Sequence, residues 1–204
     1  MPDTRVVYLV RHGEVSNPNH VVYGDLPGFH LSSAGVQQVH RTGINLADVD
    51  IDLVLTSPLA RAVETAHAIA CRHGLVPKID ARLTESGQFP HWTGNRWASI
   101  PSLFPGELES YLEDADSAGG SELLSEVARR YASVVQDATN DGHTAIVIVG
   151  HQDPIQAARL LLTGRDLDEL RLDPPDHAER IELHRSAQGP WLEISRWAPD
   201  TVIG

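Results

Sequence analysis

The sequence predicts an α/β fold, a three-layer α/β/α sandwich with a mostly parallel central sheet and an irregular insertion over its pocket. Strand-like and helix-like segments alternate along almost the whole chain, as is typical of this class. The runs 6–10 and 145–149 are apolar at every position, which indicates buried strands. With 204 residues the chain can bury a substantial core. We therefore expect one domain over 1–204, with 84–118 as a pocket-covering insertion.

Hydrophobic periodicity and helix start signals predict the individual elements. Ser57 before Pro58, and Asp153 before Pro154, have the order of an N-cap and a first helical residue. The last two strands flank Gly189-Pro190, which predicts a hairpin at a sheet edge. Strands are expected at 6–10, 51–56, 76–79, 145–149, 181–184 and 191–194, and helices at 31–46, 58–74, from Gly119-Gly120-Ser121 to 140, and at 154–162.

Charge and cysteine content limit the partners and the compartment. The formal net charge of −12 argues against nucleic acid and anionic membrane surfaces, because both bind basic patches. Cys71 is the only cysteine, which excludes an internal disulfide and fits a reducing compartment. No apolar run approaches the length needed to cross a bilayer, and no basic and apolar leader precedes the first strand. We expect a cytoplasmic protein with no nucleic-acid or membrane partner.

Basic side chains follow three of the predicted strands at the point where each strand ends. Arg11-His12-Gly13-Glu14 follows the first strand, with Gly13 expected to allow a sharp exit from it. Arg61 lies about one turn into the helix after the second strand, and His151 follows strand 145–149. Parallel strands end at one edge of a sheet, so Arg11, His12, Arg61 and His151 are expected to converge. An imidazole nucleophile among guanidinium groups suits attack on a phosphoryl group.

These motifs, in this order, resemble the histidine phosphatase superfamily, also called phosphoglycerate mutase-like, and within it the phosphatase branch. The resemblance covers nearly the whole chain. It is carried by Arg11-His12-Gly13-Glu14, by Ser57-Pro58-Leu59-Ala60-Arg61-Ala62 with Glu64-Thr65-Ala66, by Leu83-Thr84-Glu85 and by Gly150-His151. Each tripeptide alone is weak, whereas four motifs in order, each in its strand-to-helix context, are specific.

The resemblance implies a role for each motif residue. His12 would be the nucleophile, with one ring nitrogen held by a hydrogen bond so that the other faces phosphorus. Glu85 would protonate the leaving alkoxide and then activate water against the phosphohistidine. The phosphoryl oxygens would be held by Arg11, Arg61 and His151, with a further polar contact from Asn17. No metal and no other cofactor is expected.

The expected activity is that of a metal-independent, histidine acid phosphatase-type phosphoric monoester hydrolase acting on a small phosphorylated substrate through His12. Two alternatives stay open: a phosphoglycerate-type mutase that retains the intermediate, and a catalytically inactive phosphate-binding module. Mutases of the family are generally longer, which favours hydrolysis. The apolar hairpin edge could pair with a second copy in a homodimer or could simply be covered.

Two departures from the family pattern concern the substrate pocket. Gln152 stands where a glycine commonly follows the second histidine, and Phe89 comes one residue late in the segment that leads to Trp92. Trp92, Trp97 and Phe104 are candidates for lining that pocket, and core packing of the insertion explains them equally well. Substrate specificity is expected to depend on the irregular segments 16–31 and 84–118.

Overall fold

The computed structural model describes residues 4–87, 89–114, 121–186 and 189–199. Its centre is a single mixed sheet of six strands. These are β1 (Arg5–Arg11), β2 (Leu53–Thr56), β3 (Lys78–Ile79), β4 (Ala145–Gly150), β5 (Arg180–Arg185) and β6 (Leu192–Trp197), in the spatial order β3-β2-β4-β1-β5-β6. Four neighbouring strands, β3, β2, β4 and β1, run parallel to one another. Strand β5 pairs antiparallel with β1, and β6 pairs antiparallel with β5.

The predicted hairpin is therefore present, with β6 at one edge of the sheet. Leu192 and Ile194 on this strand are 58% and 53% exposed, so the edge carries apolar surface. Whether a second chain covers it stays a prediction.

Helices cover both faces of the sheet and complete the three layers. Alternate residues of β1 serve opposite faces: Val7 and Leu9 belong to one core, and Tyr8 and Val10 to the other. The first core is covered by α5 and α6, and the second by α2 and by Leu46 at the end of α1. The helices are α1 (Ser33–Asn45), α2 (Ala60–Ala70), α3 (Ile100–Leu103), α4 (Glu107–Glu113), α5 (Leu124–Asn140) and α6 (Gln152–Leu162). The α/β prediction is confirmed, and continuous apolar strands are what such double coverage requires.

Two helix starts differ from the prediction. Helix α2 begins at Ala60 with Leu59 in the N-cap position, because the buried Ser57 and the following Pro58 form a short connection before the first helical turn. Helix α6 begins at Gln152, so Asp153 lies inside the first turn and is not its N-cap. The expected helix start at Gly119-Gly120 lies outside the described residues, and α5 begins at Leu124.

The segment after β3 folds as short helical turns at the end of the sheet. Besides α3 and α4 it contains 3-10 turns at Ala81–Leu83, Pro90–Trp92 and Trp97–Ser99. Residues 88 and 115–118 of the predicted insertion lie outside the described residues. In the part of the chain that is described, every helix is too short or too polar to span a bilayer.

Candidate active site

The carboxyl ends of β1, β2 and β4 bring the predicted basic side chains together. The His12 amide donates to the Gly150 carbonyl at 3.0 Å, and the Ser57 amide to the Val149 carbonyl at 3.0 Å, so all three strands end side by side. The rings of His12 and His151 consequently lie with their centroids 5.3 Å apart. The predicted convergence is the consequence of this parallel register.

Gly13 is needed for close packing and not for an unusual backbone angle. A Cβ at this position would lie 2.7 Å from Val39 Cγ1 and 2.9 Å from the Gly35 carbonyl oxygen, both in α1. The Gly13 amide donates to Thr65 Oγ1 at 3.1 Å, which ties the end of β1 to α2. The glycine thus lets α1 approach the loop that carries His12.

The hydrogen bonding of His12 defines which ring nitrogen is free. Nδ1 lies 2.8 Å from the Gly13 carbonyl oxygen, which can only accept, so Nδ1 carries the proton and Nε2 the lone pair. Burial, together with the charges of Arg61 and Arg11, lowers the pKa of His12 well below its ordinary value. The imidazole, 2% exposed, is therefore neutral at neutral pH with Nε2 as its basic atom.

Arg11 is oriented by a segment that precedes β5. Its Nη1 donates to the Pro175 carbonyl at 2.9 Å and its Nη2 to Nε2 of His177 at 3.0 Å. The His177 ring also lies 5.8 Å from that of His12, and burial beside Arg11 lowers the pKa of His177 to about 4. His177 is thus a neutral acceptor that fixes the guanidinium. Nothing in the sequence pattern indicated it.

Arg61 and His151 form a second fixed unit. Arg61 Nη2 donates to the Gly24 carbonyl at 2.8 Å and to His151 Nδ1 at 3.2 Å. Because a guanidinium has only donors, His151 Nδ1 is the acceptor and its Nε2–H donates to Ser57 Oγ at 2.8 Å. Burial and the charge of Arg61 lower the pKa of His151 well below its ordinary value. Ser57, predicted as an N-cap, therefore holds the second histidine.

Glu85 lies against the same two groups. Its Oε2 is 3.9 Å from Arg61 Nη2 and 3.6 Å from His151 Nδ1, and its Oε1 accepts the Ser86 amide at 2.9 Å. Burial raises the pKa of Glu85 to about 7, with Arg61 opposing the shift. A carboxyl group with this pKa can donate and accept a proton at neutral pH.

Arg130 of α5 holds the backbone that carries Glu85. Its Nη2 donates to the Glu85 carbonyl at 3.0 Å and its Nη1 to the Thr84 carbonyl at 2.8 Å. The guanidinium itself is paired with Glu122, with 2.7 Å between Nε and Oε1. This residue too was missed, because only the tertiary packing brings α5 to the 82–85 turn.

Asn17 is engaged with its own loop. Its Nδ2 donates to the Val21 carbonyl at 2.8 Å, and its Oδ1 accepts the Val21 amide at 3.1 Å. This pair of bonds closes the turn that leads to Tyr23, whose ring lies 4.7 Å from the Arg61 guanidinium carbon. A direct contact between Asn17 and substrate stays a prediction.

The arrangement of these residues can be compared with known proteins. A family model described as histidine phosphatase superfamily (branch 1) matches residues 7–197. The chain belongs to this superfamily. The match runs from Val7 within β1 to Trp197 at the end of β6 and includes all the converging residues.

Relatives of this superfamily member include phosphatases. It is 39% identical to an uncharacterized protein of Mycobacterium tuberculosis over 82% of this chain and 83% of that protein. It is 32% identical to the glucosyl-3-phosphoglycerate phosphatase of M. tuberculosis, over 96% of this chain and 87% of that enzyme. Among solved structures, a mycobacterial glucosyl-3-phosphoglycerate phosphatase in complex with VO3 superimposes with a TM-score of 0.83 at 27% identity, covering 96% of this chain and 100% of that one.

In this histidine phosphatase superfamily member, a cavity of about 780 Å³ lies beside the converging residues. Arg11 and Glu85 are among its lining residues, and the segment 84–112 supplies much of its wall. Trp92 and Trp97 line it as well, whereas Phe104 packs against His91 at a centroid distance of 4.8 Å. Gln152 and Asp153 of α6 also contribute to the lining, and Asp153 accepts a hydrogen bond from the Tyr111 hydroxyl. The two residues that depart from the family pattern, Phe89 and Gln152, thus both line this cavity.

Proposed function

We propose that this protein is a metal-independent phosphatase that hydrolyses a small phosphate monoester through a phosphohistidine on His12. The main support for this proposal is that the His12 imidazole is fixed in one tautomer. Nδ1–H is held on the Gly13 carbonyl at 2.8 Å, which leaves the Nε2 lone pair free. Because the lowered pKa keeps the ring neutral, Nε2 is a competent nucleophile at neutral pH.

Phosphoryl transfer to His12 would use the two guanidinium groups and Glu85. Nε2 attacks phosphorus while the bond to the ester oxygen breaks, and protonated Glu85 gives its proton to that oxygen. Arg11 and Arg61 stabilise the charge on the remaining oxygens. Both guanidinium charges act on the His12 ring and help to lower its pKa, which supports a role in binding an anion beside that ring.

Hydrolysis of the phosphohistidine would reverse the role of Glu85. Its carboxylate takes a proton from water, the water oxygen attacks phosphorus, and the P–N bond breaks to release phosphate and regenerate neutral His12. His151, held between Ser57 and Arg61, positions the Arg61 guanidinium for both steps. Asn17 contributes by closing the loop that places Tyr23 and Gly24 against Arg61.

The test is hydrolysis of an aryl phosphate in excess chelator by wild type, His12→Ala and His67→Ala. His67 is an exposed histidine of α2 and serves as the matched control. We expect release of inorganic phosphate by wild type and His67→Ala, and none by His12→Ala. Loss of wild-type activity on chelation would overturn the metal-independent mechanism. Isomerisation of 3-phosphoglycerate without phosphate release would instead support the mutase alternative.

A further inference from the structure

The part of the cavity that would hold the leaving alcohol is rich in aromatic side chains and poor in available cations. Arg171, which lies against one of these aromatic rings, is already paired with a carboxylate. We propose that this subsite accepts an uncharged alcohol with a flat apolar face, such as an aromatic ring or the face of a sugar ring, and disfavours a second anionic group. The inference rests on the phosphatase function proposed above and adds its substrate class.

The aromatic wall, defined as Phe89, Trp92, Trp97 and Tyr111, supplies the apolar surface. Phe89 stacks on Trp92 with centroids 4.0 Å apart and planes 13° apart, and Tyr111 meets Phe89 edge-on at 5.3 Å. Trp92 is anchored by its Nε1–H, which donates to Glu107 at 2.7 Å. These mutual contacts hold the wall in one arrangement before any ligand binds.

The outer part of this wall is open to a ligand. Trp97 is 46% exposed and Leu112 55% exposed, and both line the cavity. Exposed apolar side chains around a cavity of about 780 Å³ are typical of a binding site for an organic group, and a phosphoryl group fills only a small part of such a volume. Flat rings bind such surfaces by stacking or edge contacts.

Apart from Arg11, the cation among the described lining residues is Arg171, and both of its terminal nitrogens donate to other groups of the protein. Its Nη1 lies 3.3 Å from each carboxylate oxygen of Asp153, and its Nη2 donates to the Tyr111 carbonyl at 3.3 Å. Its guanidinium carbon also stacks 3.9 Å above the Tyr111 ring. Its Nε has no hydrogen-bond partner among the described residues, and that atom is buried. Arg171 and Asp153 therefore form an ion pair without net charge, and their contacts link α4 to α6.

The charges that remain on the lining are mostly negative. Among the described lining residues Arg11 and Arg171 are the cations, whereas Asp25, Glu122 and Asp153 are carboxylates besides Glu85. Glu122 is paired with Arg130 and Asp153 with Arg171, while Arg11 serves the phosphoryl group. A carboxylate or second phosphate on the alcohol would therefore meet Asp25 and no unengaged cation among the described lining residues. Such a like-charge arrangement selects against anionic leaving groups.

The experiment compares the binding of benzylphosphonate and 4-carboxybenzylphosphonate to the wild-type chain by calorimetry. Both carry a phosphonate that cannot be hydrolysed, and they differ by one carboxylate. We expect benzylphosphonate to bind about tenfold more tightly. Equal affinity, or tighter binding of the carboxylated compound, would overturn the inference.

Two variants test whether the aromatic wall contributes to the binding of benzylphosphonate. Trp97→Ala should weaken benzylphosphonate about 2- to 10-fold relative to inorganic phosphate, which reports on the anion site alone. Leu103→Ala removes another exposed apolar side chain of the insertion that does not line the cavity, and it should leave the ratio unchanged. An unchanged ratio in Trp97→Ala would contradict the aromatic subsite.

Measurements of turnover on different phosphate esters distinguish a failure of this inference from a failure of the proposed function. Benzyl phosphate and glucose 6-phosphate are expected to give a higher kcat/KM than 3-phosphoglycerate, and their order shows which kind of ring the subsite prefers. A preference for 3-phosphoglycerate would refute the substrate class while upholding the phosphatase. If no ester releases phosphate, the proposed activity fails, and the phosphonate affinities still decide the chemistry of the subsite.

Discussion

Replacement of Glu85 by glutamine tests the proton-transfer step directly. With its pKa raised from 4.5 to about 7, Glu85 is protonated in about half of the molecules at pH 7, compared with about 0.3% for an ordinary glutamate. Loss of a general acid typically costs about 10²–10⁴-fold, or about 3–5 kcal/mol in the barrier. We expect Glu85→Gln to lose this much kcat/KM on alkyl phosphates and far less on aryl phosphates, because phenolates leave with little assistance.

The assay is kcat/KM for one alkyl and one aryl phosphate across pH 5–9. The alkyl-to-aryl ratio cancels ionisations that both substrates share. For wild type this ratio should fall about tenfold per pH unit above about pH 7, as Glu85 loses its proton. For Glu85→Gln it should be low and independent of pH. Equal losses on both substrates, or an unchanged pH dependence in the variant, would refute the role of Glu85.

Folding stability provides the control for this variant. The folded-state pKa of Glu85 lies above its ordinary value, so ionisation of Glu85 opposes folding progressively as the pH rises from about 4.5 through 7. The neutral glutamine avoids this cost. Glu85→Gln should therefore be at least as stable as wild type in urea unfolding at pH 8, and a marked destabilisation would point to lost structure as the cause of lost activity.

Substitutions at three further positions test the groups that support the site. His177→Ala should lower kcat/KM about tenfold by freeing the Arg11 guanidinium, with partial recovery in His177→Gln, which keeps an acceptor; equal activities of the two would contradict this role. Arg130→Met should reduce turnover of alkyl phosphates more than that of aryl phosphates, because Arg130 holds the Glu85 carbonyl. A uniform loss would indicate general damage. Gly35→Ala should destabilise the fold by about 1–3 kcal/mol in urea unfolding, since its Cβ would collide with a backbone oxygen of the loop after β1, and wild-type stability would refute that contact.

The sheet and the convergence at its edge could be predicted from the sequence for a clear physical reason. Strands β1 and β4 are buried on both faces, so their residues are apolar without interruption and the polar motif residues mark where each strand ends. Parallel pairing then determines that His12 and His151 meet. Glu85 could be predicted only from the family resemblance, because β3, the strand that precedes it, is just two residues long.

The supporting groups could not be predicted because their contacts are distant in sequence. Ser57 looked like a helix cap but holds His151, and Arg130 reaches the Glu85 backbone from a different helix. His177 lies in an irregular segment whose position depends on the pairing of β5 with β1. No periodicity encodes such contacts. They appear only once the packed structure brings the side chains together.

The most direct test of the proposed chemistry is to trap the phosphoenzyme. Wild-type protein mixed with a fast aryl phosphate, quenched in base and digested, is expected to carry one phosphoryl group on the peptide that contains His12, with the acid lability of a phosphohistidine. The His12→Asn variant should carry none. A phosphoryl group on another residue, or steady turnover with no trapped intermediate in wild type, would contradict nucleophilic catalysis by His12.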